Sequence, residues 1–122
     1  MIMEAIVCLA LNTYHEAKNQ SKAGQVAVAE VVMNRVKDKR YPNNVCDVVK
    51  QGLTYKWNPK IPIRHQCQFS WYCDGKSDKA REKKAWKDAL TVARGVYYGY
   101  LTAHLQGATH YHANYVQPSW AE

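Results

Sequence analysis

Glu16 is the carboxylate in this sequence whose surroundings best suit acid–base chemistry. It stands at the end of an apolar stretch, after Tyr14 and His15, and directly before a polar segment. A carboxyl group at such a junction is partly desolvated, which disfavours its charged form and raises its pKa. Glycosidases use a carboxyl of this kind to protonate the oxygen of a leaving sugar. Pattern alone, however, favours a helix-end glutamate that makes only local hydrogen bonds.

The other acids give few candidates for a second catalytic carboxylate. Most of them lie among lysines, as Asp38 and Asp88 do, which is typical of a solvated surface. Asp47 and Asp74 lie outside such runs, and each has a structural explanation, as a helix-start residue and as a turn residue beside Gly75. Both remain open as a second carboxylate if the fold brings one of them across a cleft from Glu16.

Histidine and cysteine are the other candidates for chemistry, as metal ligands. His110 and His112 would face the same side of a strand, but no third ligand is evident, so we expect no metal and no cofactor. None of the cysteines forms a CxxC pair, and free thiols are the default without a signal peptide. A bridge between Cys67 and Cys73 and a zinc site are the less favoured alternatives. The cysteines are Cys8, Cys46, Cys67 and Cys73.

Length and charge limit the class of protein. A chain of 122 residues fits one domain, residues 1–122, and its formal net charge of +7 favours polyanionic partners. No apolar run approaches the ~20 residues of a membrane span, so we expect no stable membrane insertion. No basic region precedes the apolar N-terminal stretch, so we expect synthesis in a cytosol without an export signal.

The elements that must position these groups are mostly helical. Apolar periodicity predicts helices over residues 3–16, 24–36 and 45–51, with Asn44 as the cap of the third and Gly52 at its end. Ser77 or Asp78 is predicted to begin a fourth helix that runs to about Tyr98. The loop between them suggests a short β-hairpin through Gln66 to Tyr72. The expected fold class is therefore mainly α, with a small β element.

Four motifs follow one another along the chain. They are residues 14–36 (YHEAKNQSKAGQVAVA and then VVMNRV), 41–49 (YPNNVCDVV), 67–75 (CQFSWYCDG) and 108–121 (ATHYHANYVQPSWA). Together they resemble the SleB/CwlJ-type cell wall hydrolases, which include spore cortex-lytic enzymes and phage endolysins. Because the resemblance covers nearly the whole chain in order, chance agreement is improbable.

The resemblance implies a compact lysozyme-like domain that acts on the glycan strands of peptidoglycan. The family cuts the β-1,4 bond between N-acetylmuramic acid and N-acetylglucosamine, usually by lytic transglycosylation with a 1,6-anhydromuramic product. Glu16 matches the catalytic glutamate of the family. Where the family often has Glu-Ala-Arg-Gly-Glu, this chain has Asn19 and Gln20 in the last two positions. Gln20 removes the acid nearest to Glu16 in sequence.

Seven further residues fall in the matching motifs and are predicted to line the sugar-binding groove: Asn34, Gln68, Phe69, Ser70, Tyr111, His112 and Tyr115. Asn34 has the alternative role of organising a helix end. We expect a monomeric phage endolysin that is held in the host cytoplasm and then released to the wall. A hydrolytic muramidase and a non-catalytic wall-binding module are the alternatives. A nucleic-acid binder is disfavoured because no such motif is present.

Overall fold

A computed structural model describes residues 2–55, 58–67, 69–73, 79–105 and 107–109, without the side chains of residues 52–66, 70 and 73. Its helices are α1 (Ile2–Ala17), α2 (Lys22–Lys37), α3 (Val45–Val49) and α4 (Lys83–Tyr97). Between α3 and α4 lie strands β1 (Gly52–Tyr55) and β2 (Asn58–Cys67) and a 3-10 turn (Ser70–Cys73). The mainly helical prediction is confirmed, whereas a lysozyme-like fold stays a prediction.

Helix α2 packs against each of the other three described α-helices. Ser21 begins it, with a side-chain oxygen that accepts a hydrogen bond from the backbone N–H of Gly24 at 3.2 Å. Val32 on α2 is fully buried together with Leu9 on α1 and Val48 on α3. These three helices therefore share one core, to which α4 adds Val92 and Ala93.

Two predicted boundaries of elements are wrong. Helix α4 begins at Lys83 rather than at Ser77 or Asp78, because residues 79–82 are not helical. The hydroxyl of Tyr14 accepts hydrogen bonds from the backbone N–H groups of Arg81 and Glu82, both at 3.1 Å, which anchors this start to α1. Helix α3 ends at Val49, before the predicted Gly52.

The predicted position of the hairpin is also wrong. Residues Ser70–Cys73, which belong to the stretch predicted as a hairpin, form a 3-10 turn instead. The described strands lie earlier in the chain, where β1 and β2 pair antiparallel with Gly52 opposite Cys67 and Tyr55 opposite Asn58. The register shifts along this pair, so the ladder is irregular.

A disulfide joins α1 to α3 and corrects the expectation of free thiols. Cys8 and Cys46 are bonded, and their Cα atoms are 5.2 Å apart. Cys67 is also disulfide-bonded. No pattern in the sequence pairs Cys8 with Cys46, since they are separated by 38 residues and only the packing of α3 on α1 brings them together.

Candidate functional site

Glu16 lies on the last turn of α1, where its carboxyl is both accessible and desolvated. The residue is exposed, as an acid that must reach a substrate has to be. Desolvation by the surrounding protein nevertheless raises its pKa, and the positive charges of His15 and Arg35 only partly oppose that effect. Among the described residues, no hydrogen bond or ion pair holds the carboxyl. Glu16 is therefore suited to carry a proton and to release it.

Asn12 and Trp71 form a buried support one turn before Glu16. Residues four apart share a helix face, so Asn12 lies on the Glu16 side of α1. Its side-chain oxygen accepts a 2.8 Å hydrogen bond from the indole nitrogen of Trp71. The ring of Trp71 stacks on His15, with centroids 4.6 Å apart. This arrangement fixes the 3-10 turn, and with it the third motif, against the end of α1.

Arg35 is a buried cation whose charge acts on Glu16. It is only 5% exposed, and its guanidinium lies over the rings of Phe69 at 5.0 Å and Tyr41 at 5.1 Å. Its Nε donates a 2.7 Å hydrogen bond to the carbonyl oxygen of Thr109. Burial lowers the pKa of Arg35, while Tyr41 and Glu16 oppose this change. Arg35, which belongs to the first motif, therefore contacts a residue of each of the other three motifs.

Two other side chains of α2 hold the segment that follows α4. The carboxylate of Glu30 accepts hydrogen bonds from the backbone N–H groups of Ala103 and Leu105, both at 2.8 Å, and from the hydroxyl of Thr102. Although desolvation acts to raise the pKa of Glu30, these hydrogen bonds bring it below its ordinary value. The amide of Asn34 donates to the carbonyl of Ala108 at 3.0 Å. Residues 102–105, and Ala108 at the start of the fourth motif, are thus held along α2.

Glu82 and Asp47 are two other acids that could be considered as a second catalytic carboxylate. Glu82 pairs with Lys18 at 2.8 Å. Lys18 lies over the ring of Tyr14. Tyr14 is two residues before Glu16, which at about 100° per residue is about 200° around the helix. Glu82 therefore lies on the side of α1 opposite to Glu16.

Asp47 has a structural role at the start of α3. Its carboxylate accepts a 2.7 Å hydrogen bond from the amide of Asn44. Asn44 lines a groove together with Glu4, near the beginning of α1. Since α1 rises about 18 Å between Glu4 and Glu16, Asp47 lies toward the opposite end of the helix. This agrees with its interpretation as a helix-start residue.

The predicted groove residues are only partly described. Phe69 is half-buried against the core and contacts Arg35 through its ring face. Asn34 borders a groove of about 410 Å³, although its amide nitrogen is used to hold Ala108. Their binding of sugar stays a prediction, as it does for Ser70, whose side chain is not described. The candidate residues that lie outside the described ranges are Gln68, Tyr111, His112, Tyr115, His110 and Asp74.

Sequence reasoning missed Arg35, Glu30 and Asn12. Arg35 lies within the first motif and Glu30 between its two stretches, but the backbone groups to which they are hydrogen-bonded are more than seventy residues away in sequence. Asn12 lies inside an apolar helix, where a lone polar residue is the signal that could have marked a buried hydrogen bond.

Within the described ranges, no three histidine, cysteine or acidic side chains are grouped to hold a metal ion. Among those ranges, too, no helix is long and apolar enough to cross a membrane.

Comparison with known proteins gives one match. The model of the family described as Cell Wall Hydrolase matches residues 19–122. The matched region begins three residues after Glu16, so the role of Glu16 rests on its position and not on this match. No curated protein and no solved structure matches the chain significantly.

Proposed function

We propose that this chain, which belongs to the Cell Wall Hydrolase family and acts on peptidoglycan, is a lytic transglycosylase with Glu16 as its acid and base. Its target is the β-1,4 bond between N-acetylmuramic acid and N-acetylglucosamine. The observation that carries the proposal is the state of Glu16, an exposed carboxyl whose pKa is raised by desolvation. A raised pKa keeps part of the carboxyl protonated nearer to neutral pH, where it can act as a general acid.

The placement of two of the described acids, Glu82 and Asp47, supports a mechanism with a single carboxyl. Retaining glycosidases with a protein nucleophile hold two carboxyl groups about 5 Å apart, and inverting enzymes hold them about 6.5–9.5 Å apart. Glu82 lies on the opposite side of α1, paired with Lys18, and Asp47 lies toward its other end. Among the described acids, neither of these two is placed to serve as the partner of Glu16.

A single carboxyl suffices when the substrate supplies its own nucleophile. Glu16 first donates its proton to the glycosidic oxygen, and the bond from that oxygen to C1 of the muramic acid breaks. The resulting carboxylate then takes the proton from the 6-hydroxyl of the same sugar, whose oxygen forms the new bond to C1. Glu16 is thereby reprotonated and no water is consumed. The high effective concentration of such an intramolecular group makes this route efficient.

His15 and Arg35 have complementary roles in this cycle. Their positive charges lower the pKa of Glu16 against the effect of desolvation, so the carboxyl can both give up and regain its proton. Arg35 also places Phe69 and Thr109, on the third and fourth motifs, around the same charge. Hydrolysis by the same site is the second candidate, since water could replace the 6-hydroxyl as the nucleophile.

The biological setting is a further part of the proposal. The protein is a phage endolysin that acts as a monomer, stays in the host cytoplasm and reaches the wall on release. The family supports this setting, as does the net charge of +7, which favours binding to an anionic wall.

The test of the proposed role compares Glu16→Gln with Glu4→Gln, a matched control at the exposed start of the same helix. Clearing of purified sacculi is measured for both, together with circular dichroism to confirm folding. Glu16→Gln should lose at least about 100-fold in rate, as expected when a general acid is removed, while the control keeps the wild-type rate. A folded Glu16→Gln variant with near wild-type clearing would remove Glu16 from the mechanism.

A further inference from the structure

A further groove, which we call the tyrosine groove, lies between the start of α2 and the end of α4. Its volume is about 550 Å³. Thirteen residues, or about 20 Å of helix, separate Lys22 at this groove from Arg35, whose charge acts on Glu16. The residues that line it are Lys22, Thr91, Arg94, Gly95, Tyr98, Tyr100 and Leu101.

A rigid turn presents the two tyrosines of this groove to solvent. Tyr98 is 51% exposed and Tyr100 is 84% exposed, which is unusual for rings of this size. Gly99 between them has a φ of 81°, and the backbone N–H groups of Tyr100 and Leu101 both donate to the carbonyl of Gly95, at 2.7 and 3.0 Å.

Gly95 makes this turn possible. A Cβ atom at Gly95 would come within 2.5 Å of the Leu101 side chain, so the close approach of Leu101 requires a glycine there. Tyr98 is also held by an edge-to-face contact with Tyr97, at 5.4 Å between centroids. The backbone of this turn is therefore held by hydrogen bonds, and the ring of Tyr98 packs against Tyr97.

The charge at the groove is positive. Lys22 and Arg94 are both exposed, and no acidic residue is found among the described residues that line the groove. Tyrosine offers an apolar face with a polar tip, which suits the faces of sugar rings. Exposed cations beside such rings complement a ligand that carries carboxylates.

We propose that the tyrosine groove binds a second stretch of peptidoglycan, with sugar rings on Tyr98 and Tyr100 and stem-peptide carboxylates facing Lys22 and Arg94. This site would hold the protein on the polymer between cleavage events. It follows from the groove and from the action of the family on peptidoglycan, and it does not depend on the role of Glu16.

The test measures binding separately from cleavage. Binding of the Tyr98→Ser/Tyr100→Ser double variant to purified sacculi, stripped of teichoic acid, is measured by co-sedimentation at 4 °C and short times. The matched control is Tyr98→Phe/Tyr100→Phe, which keeps both rings. Cleavage of soluble glycan fragments, too short to reach both sites, is measured in parallel.

We expect the serine variant to bind at least about tenfold more weakly, which is the usual loss when exposed tyrosine anchors are removed. Its cleavage of short fragments should stay within about twofold of wild type, and the phenylalanine variant should bind as wild type does. Arg94→Gln should lessen the weakening of binding by salt, whereas Lys39→Gln, a charge change at an exposed residue just after α2, should not.

Three results would overturn the proposal. The first is unchanged binding of a folded serine variant. The second is an equal loss of binding in the phenylalanine variant, because ring contact would then not be the cause. The third is a loss seen only on sacculi that retain teichoic acid, which would assign the groove to a phosphodiester polymer instead.

Discussion

Replacing Arg35 by methionine removes a buried cation while nearly keeping its volume. In the wild type, the guanidinium makes a 2.7 Å hydrogen bond to the carbonyl of Thr109 and lies over the rings of Phe69 and Tyr41. The variant loses all three interactions. It also loses the positive charge that acts on Glu16.

The cost in stability follows from these contacts. A hydrogen bond to a charged group contributes about 1.5–3 kcal/mol, and each cation–π contact about 0.5–1 kcal/mol. The opposing gain is that a buried guanidinium no longer has to be desolvated, and its Nη1 has no hydrogen-bond partner among the described residues. We therefore expect a net loss of about 2–4 kcal/mol, which for a domain of this size lowers Tm by at least about 6 °C.

The assay combines thermal unfolding with a pH profile of cleavage. Removal of the cation raises the pKa of Glu16 further. The limb of the pH profile on which activity falls because Glu16 loses its proton should therefore move to higher pH. His15 still lowers that pKa in the variant, so only the contribution of Arg35 is removed. Arg35→Lys keeps the charge but not the planar contacts, so it should lower Tm while leaving the limb in place. A Tm of Arg35→Met within 2 °C of wild type, or a limb that moves equally in both variants, would refute this reasoning.

Three other changes test the supports around the site. Glu30→Gln should lower the free energy of unfolding by about 1–3 kcal/mol at pH 7, because backbone N–H groups lose their carboxylate acceptor. Since the pKa of Glu30 is lowered in the folded protein, the difference from wild type should shrink as pH falls below 4.5. A difference in Tm that stays constant with pH would contradict this prediction. Asn12→Leu leaves the indole N–H of Trp71 unpaired, so Tm and wall clearing should both fall; wild-type values for both would exclude a supporting role. Because the pKa of Glu16 is raised in the folded protein, its contribution to stability decreases as pH rises above 4.5. Glu16→Gln should therefore have a Tm at pH 7 equal to or above that of wild type. A clearly lower Tm would argue against a desolvated carboxyl at Glu16.

The helices were predictable because their signals are local. The apolar run of α2 and the cap at Asn44 are set by nearby residues, and both were placed correctly. The start of α4 was placed wrongly, because it depends on the hydroxyl of Tyr14, which is almost seventy residues away in sequence. The hairpin was misplaced because aromatic residues after Cys67 suit a strand and a buried turn equally well.

The raised pKa of Glu16 could be predicted from the sequence, whereas the residues that support it could not. Glu16 could be singled out because its neighbours in sequence are also its neighbours along α1. The contacts of Arg35 and Asn12 join residues that only tertiary packing brings together, so no spacing in the sequence indicates them. The Cys8–Cys46 bond was missed for the same reason.

The central claim is tested most directly by the chemistry of the products. Purified sacculi are digested in water labelled with heavy oxygen, and the released muropeptides are analysed by mass spectrometry. If Glu16 directs the 6-hydroxyl of muramic acid to C1, the products carry 1,6-anhydromuramic ends and no label. Reducing ends with heavy oxygen at C1 would show that water is the nucleophile, and would contradict the transglycosylase mechanism with a single carboxyl.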